Sequence, residues 1–144
     1  MRRIVITGIG LQSSLGAGRE RVWQNLIAGR CGIGRVTLFD SGGYRSRLAA
    51  ELADYDPSRA FTPLQRRRWS RSDQIAVLAA GEALDDSGLD RSSLDRNRVG
   101  VMFGAGTSDL LRNENYLKEV RCKGLDRAAP SNVFNFYSNT PVDV

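Results

Sequence analysis

Residues 3–9 read RIVITGI, a β-branched and almost unbroken apolar run that passes into the glycines of TGIG. A strand with one wet face alternates apolar and polar side chains, whereas a run without alternation is buried on both faces. The segment therefore predicts a central strand, and a central strand needs neighbours beside it and a layer on each face. The next residues suit such a layer. Gly8, Gly10, Gly16 and Gly18 surround QSSL, and RERVWQNLIAG then places Val22, Leu26 and Ile27 at helical spacing until Gly29 stops the helix.

From Cys31 to Arg59 the pattern weakens into turns (SGGY) and a short alternating segment around RSRLAAELADY, which predicts a hairpin or edge element. The clearest helix comes next. Ser70 and Ser72 precede Asp73 as candidate N-caps, IAVLAAGEAL is small and apolar on nearly every side, and Gly88 supplies a left-handed stop. A helix so apolar reads as buried. RVGVMFGAGTS is a second β-branched strand ending in glycines, and DLLRNENYLKEVRCKG is a helix that sets Leu110, Leu111 and Leu117 against charged positions. Alternating strands and helices predict an α/β layered fold with a mainly parallel sheet. The stretch SNVFNFYSNTPVDV carries Val133, Phe134, Phe136, Tyr137, Val142 and Val144, and so apolar an ending is expected of a chain cut within a domain. With 144 residues, 41% of them hydrophobic, one domain or part of one is the expectation.

The formal charge is +5, and the excess is arginine, concentrated in RRRWSR. A basic patch implies an acidic partner. Nucleic acid is one candidate, but aromatic residues make up only 8% and do not alternate with the arginines as stacking would require. An acidic protein or a phosphorylated carrier fits as well. Cys31 and Cys122 stand far apart behind no recognisable leader, and no stretch approaches the about 20 apolar residues that span a bilayer. These features predict a reduced, cytoplasmic protein without membrane contact. Histidine is absent, which excludes imidazole general-base catalysis and His-ligated metal for these residues.

TGIGLQSSLG invites comparison with a dinucleotide site. That fingerprint needs a third glycine three residues after the second, and an acidic residue about 20 positions on. Here Gly10 is followed by Leu11, Gln12 and Ser13, and Asp40 stands 30 residues after Gly10. Glycines that permit a tight turn off a buried strand are the better reading.

RRIVITGIG, VWQNLIAGRCGIGRVTLFD, the DDSGL that closes the apolar helix, and RVGVMFGAG, in that order and spacing, resemble the N-terminal part of β-ketoacyl-acyl carrier protein synthases. The resemblance covers essentially all 144 residues. It implies a thiolase-like layered α/β/α/β/α fold, of which residues 1–144 are an incomplete N-terminal portion. It also implies the family's reaction, a decarboxylative Claisen condensation of acyl thioesters in fatty-acid or polyketide synthesis. A cysteine accepts the acyl group there, two histidines stabilise the enolate, and no metal or redox cofactor is needed. The implied nucleophile and histidines lie beyond residue 144, so neither Cys31 nor Cys122 takes that role and no catalytic residue is assigned within this chain.

Two surfaces carry over by position. Basic residues before the apolar helix contact acyl carrier protein in the family, and here they are Arg66, Arg67 and Arg68, with Arg71 one turn on and Arg127 near a second basic position. Arginines at a helix N-terminus oppose the macrodipole, which favours docking over a merely solvated helix start. Thr107 falls at the family's gate beside the acyl chain, or it caps the following helix. Phe136 falls where a phenylalanine reaches the partner's pocket across the dimer, or it is a core residue. SNTPVD departs from the family's usual wording, which leaves subfamily and pocket shape open. The implied partners are acyl carrier protein and a second ketosynthase chain, as homodimer or heterodimer. Alternatives are a ketosynthase-like chain-length subunit without its cysteine, a nucleotide-binding oxidoreductase domain, and a nucleic-acid-binding module.

Overall fold

The computed structural model describes residues 3–104 and 110–128. The chain divides into two compact units, Met1–Asp56 with Leu78–Asp90, and Pro57–Val77 with Arg91–Val144.

In the first unit, β1 (Gln12–Ser13) and β2 (Gly16–Ala17) form a tight antiparallel hairpin in which Gln12 faces Ala17 and Ser13 faces Gly16. The helix α1 (Arg19–Ile27) packs on that hairpin and buries Val22. It ends where Gly29 takes φ 65°, a left-handed conformation that glycine adopts without a Cβ penalty. A second antiparallel pair joins β3 (Gly34–Arg35) to β4 (Leu48–Ala49), so the hairpin predicted around RSRLAAELADY is present. Glu51 secures it by accepting from the Thr37 N–H at 3.0 Å and the Thr37 hydroxyl at 2.7 Å.

The second unit opens with the short helix α2 (Pro63–Arg68), then a two-residue corner, then α3 (Arg71–Asp86). The second half of α3 belongs to the first unit. As the sequence predicts, Gly88 stands just past α3 in the left-handed region, at φ 66°. A 3₁₀ turn spans Arg96–Arg98, α4 spans Leu110–Lys123, and a second 3₁₀ turn spans Leu125–Arg127.

Four expectations are corrected. Residues 3–9 and 99–104 form no strand, and the sheets among the described residues are two antiparallel pairs instead of one parallel sheet. Ile4 is 96% exposed and Met102 97%. Extended backbone becomes a strand only where a second strand pairs with it, and no described strand pairs with these segments. Second, α3 is half-buried along most of its apolar length, with Leu84 exposed and only Asp73 and Gln74 of its residues buried. Third, α1 buries Val22 but leaves Leu26 and Ile27 exposed. Fourth, among the α4 residues whose burial is described the buried one is Tyr116, while Leu110 and Leu117 face water.

Candidate functional site

The arginine cluster sits at a corner built by local capping. Thr62 is the N-cap of α2: its hydroxyl accepts from the Gln65 N–H at 3.3 Å, and the Gln65 side chain accepts from the Thr62 N–H at 2.9 Å. Pro63 occupies the first helical position, where a missing N–H costs nothing. Arg66, Arg67 and Arg68 thus occupy the last turn of α2, with Arg71 the first residue of α3. This corrects the expected placement. Three of the four arginines lie at a helix C-terminus, where exposed carbonyls favour cations, so the macrodipole no longer argues for docking.

What argues for it is exposure and charge. Arg67 and Arg68 are exposed, Arg66 and Arg71 half-buried, and Arg127 is exposed at the end of the Leu125–Arg127 turn. Thirteen of the 21 Lys and Arg but only seven of the 16 Asp and Glu fall in the second unit, which leaves +6 there and −1 in the first. A basic surface of this kind steers acidic partners.

The glycine-rich opening has a different job. A Cβ at Gly10 would lie 1.9 Å from the Ala79 carbonyl oxygen, and one at Gly8 2.0 Å from that of Ala83. The two glycines therefore lie flush on successive turns of α3. The neighbouring N–H groups of Ile9 and Leu11 donate to Asp86 and Glu82, each at 2.9 Å. Arg19 donates its N–H to Glu82 and its guanidinium to Asp86. A pyrophosphate would need those same donors, and two carboxylates already hold them. Gly8 and Gly10 are packing glycines, and the nucleotide reading loses its site.

Sequence reasoning missed Glu82 and Asp86, whose partners are remote in the chain. It also missed the Thr62–Gln65 capping box, although T-P-L-Q carried its signal. Cys31 and Cys122 are both exposed and free. Cys31 borders an open polar cavity of about 190 Å³ with Arg21, Asn25, Arg30 and Asp54. Thr107 and Phe136 lie outside the described residues. Among those residues no group of His, Cys, Asp and Glu could hold a metal ion, and no helix is long and apolar enough to cross a membrane.

The N-terminal domain of the β-ketoacyl synthases matches residues 1–139. The tetracenomycin polyketide synthase ketoacyl synthase alpha subunit of Streptomyces glaucescens is 44% identical over 104 residues, 72% of this chain and 24% of the relative. A 3-oxoacyl-[acyl-carrier-protein] synthase 2 of Staphylococcus aureus is 33% identical over 129 residues, 90% of this chain and 31% of the relative. Among solved structures, the ishigamide ketosynthase/chain length factor superposes with TM-score 0.83 at 28% identity, over 95% of this chain and 34% of that one. A ketosynthase in complex with its type II PKS acyl-carrier protein superposes with TM-score 0.76 at 20% identity, over 96% of this chain and 36% of that one, a likeness of fold alone. The predicted thiolase-like layered class is thus shown by likeness to ketosynthases. The chain spans about a quarter to a third of the length of the proteins it matches.

Proposed function

The chain belongs to the β-ketoacyl synthase family, within its N-terminal domain, and on that premise we propose that it forms the N-terminal part of a ketosynthase acting on carrier-bound acyl chains. In the reaction proposed for the whole protein, an enzyme thiol holds the growing acyl chain as a thioester. Loss of carbon dioxide from a malonyl-type extender leaves an enolate whose carbon attacks the thioester carbonyl. A carbon–carbon bond forms, the carbon–sulfur bond breaks, and the thiol is released. This reading assigns the thiol nucleophile and the enolate-stabilising donors to positions beyond residue 144 and gives Cys31 and Cys122 no catalytic role.

The part assigned to this chain is carrier recognition. The observation that carries it is the arginine corner of the basic second unit, with Arg67 and Arg68 exposed, Arg66 and Arg71 half-buried beside them on α2 and α3, and Arg127 as a second contact. Acyl carrier proteins are acidic, so opposite charge gives both steering and docking. Titration with holo acyl carrier protein, NAD, NADP and duplex DNA separates the classes. The proposal expects saturable, salt-sensitive binding of the carrier alone, and binding of a dinucleotide or DNA without the carrier would refute it.

Thr107 and Phe136 are proposed as acyl-pocket residues. A second reading is a chain-length subunit without a nucleophile, since the ishigamide ketosynthase/chain length factor on which the chain superposes carries both kinds of name. It predicts carrier binding without condensation unless a catalytic partner is added. Both readings place the chain in a ketosynthase dimer in the cytoplasm.

A further inference from the structure

Only Trp69 and Ser70 separate Arg68, the last residue of α2, from Arg71, the first of α3. Whether the arginines on the two helices act as one surface depends on how rigid that corner is. The corner is tied at several points. The Trp69 N–H donates to the Gln65 carbonyl at 2.8 Å, and its own carbonyl accepts from the Gln74 side chain at 2.9 Å. Its ring meets Phe61 edge to face, centroids 5.5 Å apart. Ser70 and Asp73, 0% and 1% exposed, bond reciprocally: the Ser70 N–H donates to Asp73 Oδ2 at 2.8 Å, and the Asp73 N–H donates to Ser70 Oγ at 3.1 Å. Asp73 Oδ1 is buried and accepts no hydrogen bond.

Starting a helix needs much less than this. An exposed serine N-cap suffices, whereas a buried carboxylate with one bare oxygen is costly and calls for another reason. We propose that Ser70 and Asp73 are positioning residues that hold the arginines of α2 and α3 as one preorganised cationic surface for an acidic protein partner. The inference rests on the carrier-docking reading. Fixing the corner before encounter removes the ordering cost that binding would otherwise carry. The charge of Asp73 acts in the opposite sense, since a nearby negative group weakens attraction for an acidic partner. Positioning and charge can therefore be told apart by the sign of the effect.

The test titrates holo acyl carrier protein into the full protein at low ionic strength, at a temperature where circular dichroism shows each variant folded. Asp73→Ala removes the acceptor of the Ser70 N–H and is expected to weaken binding roughly three- to tenfold. Asp73→Asn keeps a side-chain oxygen for that N–H while removing the charge and is expected to bind at least as tightly as the parent, Ser70→Thr is expected to bind like the parent, and Ser70→Ala weakens binding. Should Asp73→Ala fail to fold, Ser70→Ala against Ser70→Thr carries the same comparison. Unchanged or tighter binding in the alanine variants, while Arg67→Glu with Arg68→Glu still weakens it, would overturn the inference and leave docking standing. If the parent itself does not bind the carrier, the docking reading fails and the inference falls with it.

Discussion

At Gly10 the opening motif changes meaning. Sequence alone shows a glycine after a β-branched run. The structure shows why the residue must be glycine, since a Cβ there would sit 1.9 Å from the Ala79 carbonyl oxygen. Gly10→Ala in the full protein is expected to lower unfolding free energy by at least the 1–3 kcal/mol of about one overpacked methyl. Gly34→Ala, where a Cβ meets open space, should stay within about 0.5 kcal/mol, as exposed changes usually do. Chemical denaturation of the two variants checks this, and equal losses would contradict the packing role. The glycines were legible in the sequence; their partners were not. Glu82 and Asp86 lie 63 to 77 residues from the groups they hold, and a carboxylate on a helix looks the same whether it faces water or a backbone N–H. For Thr107 and Phe136 the expectation is chemical: a buried methylene is worth about 0.8 kcal/mol, so Thr107→Ile should shift relative kcat/KM toward shorter acyl thioesters and Phe136→Ala toward longer ones. A uniform loss of activity with an unchanged profile would make both residues structural.

The elements were legible in proportion to how local their causes are. Stops at Gly29 and Gly88 and the cap at Ser70 depend on neighbours a few residues away, and α1 and α3 form where the sequence predicts. The break between α2 and α3 was not read, because RRRWSR contains no glycine or proline to mark it, and the arginines were placed at the start of the wrong helix. Their correct place, the last turn of α2, stabilises that helix and leaves Arg67 and Arg68 facing solvent. Arg67→Glu with Arg68→Glu is therefore expected to weaken carrier binding mainly through association rate. Exposed ion pairs contribute about 0 to 1 kcal/mol each and are screened by salt. Stopped-flow rates at two ionic strengths read this directly. Unchanged affinity at low salt would remove the docking assignment.

The fold class emerged from strands that the described residues do not complete. Residues 3–9 have the composition of a doubly covered strand, yet Ile4, Val5 and Ile6 are exposed, as are Val101 and Met102. Periodicity reports what a segment is suited to, and pairing depends on partners that these residues do not supply. Residues 1–144 expressed alone are accordingly expected to self-associate through unpaired edges and apolar surface. Size-exclusion chromatography with light scattering checks it, and a monomeric, cooperatively unfolding product would contradict it. Whether these residues serve a carrier-dependent condensation is decided by incubating the full protein with acyl-carrier and malonyl-carrier thioesters and measuring carbon dioxide and β-ketoacyl-carrier together. Equal amounts of both are expected, each formed more slowly at low carrier concentration when the arginines at 67 and 68 are reversed to glutamate; condensation that proceeds at the parent rate in that variant, or no condensation and no carrier binding in the parent, would contradict the proposed role.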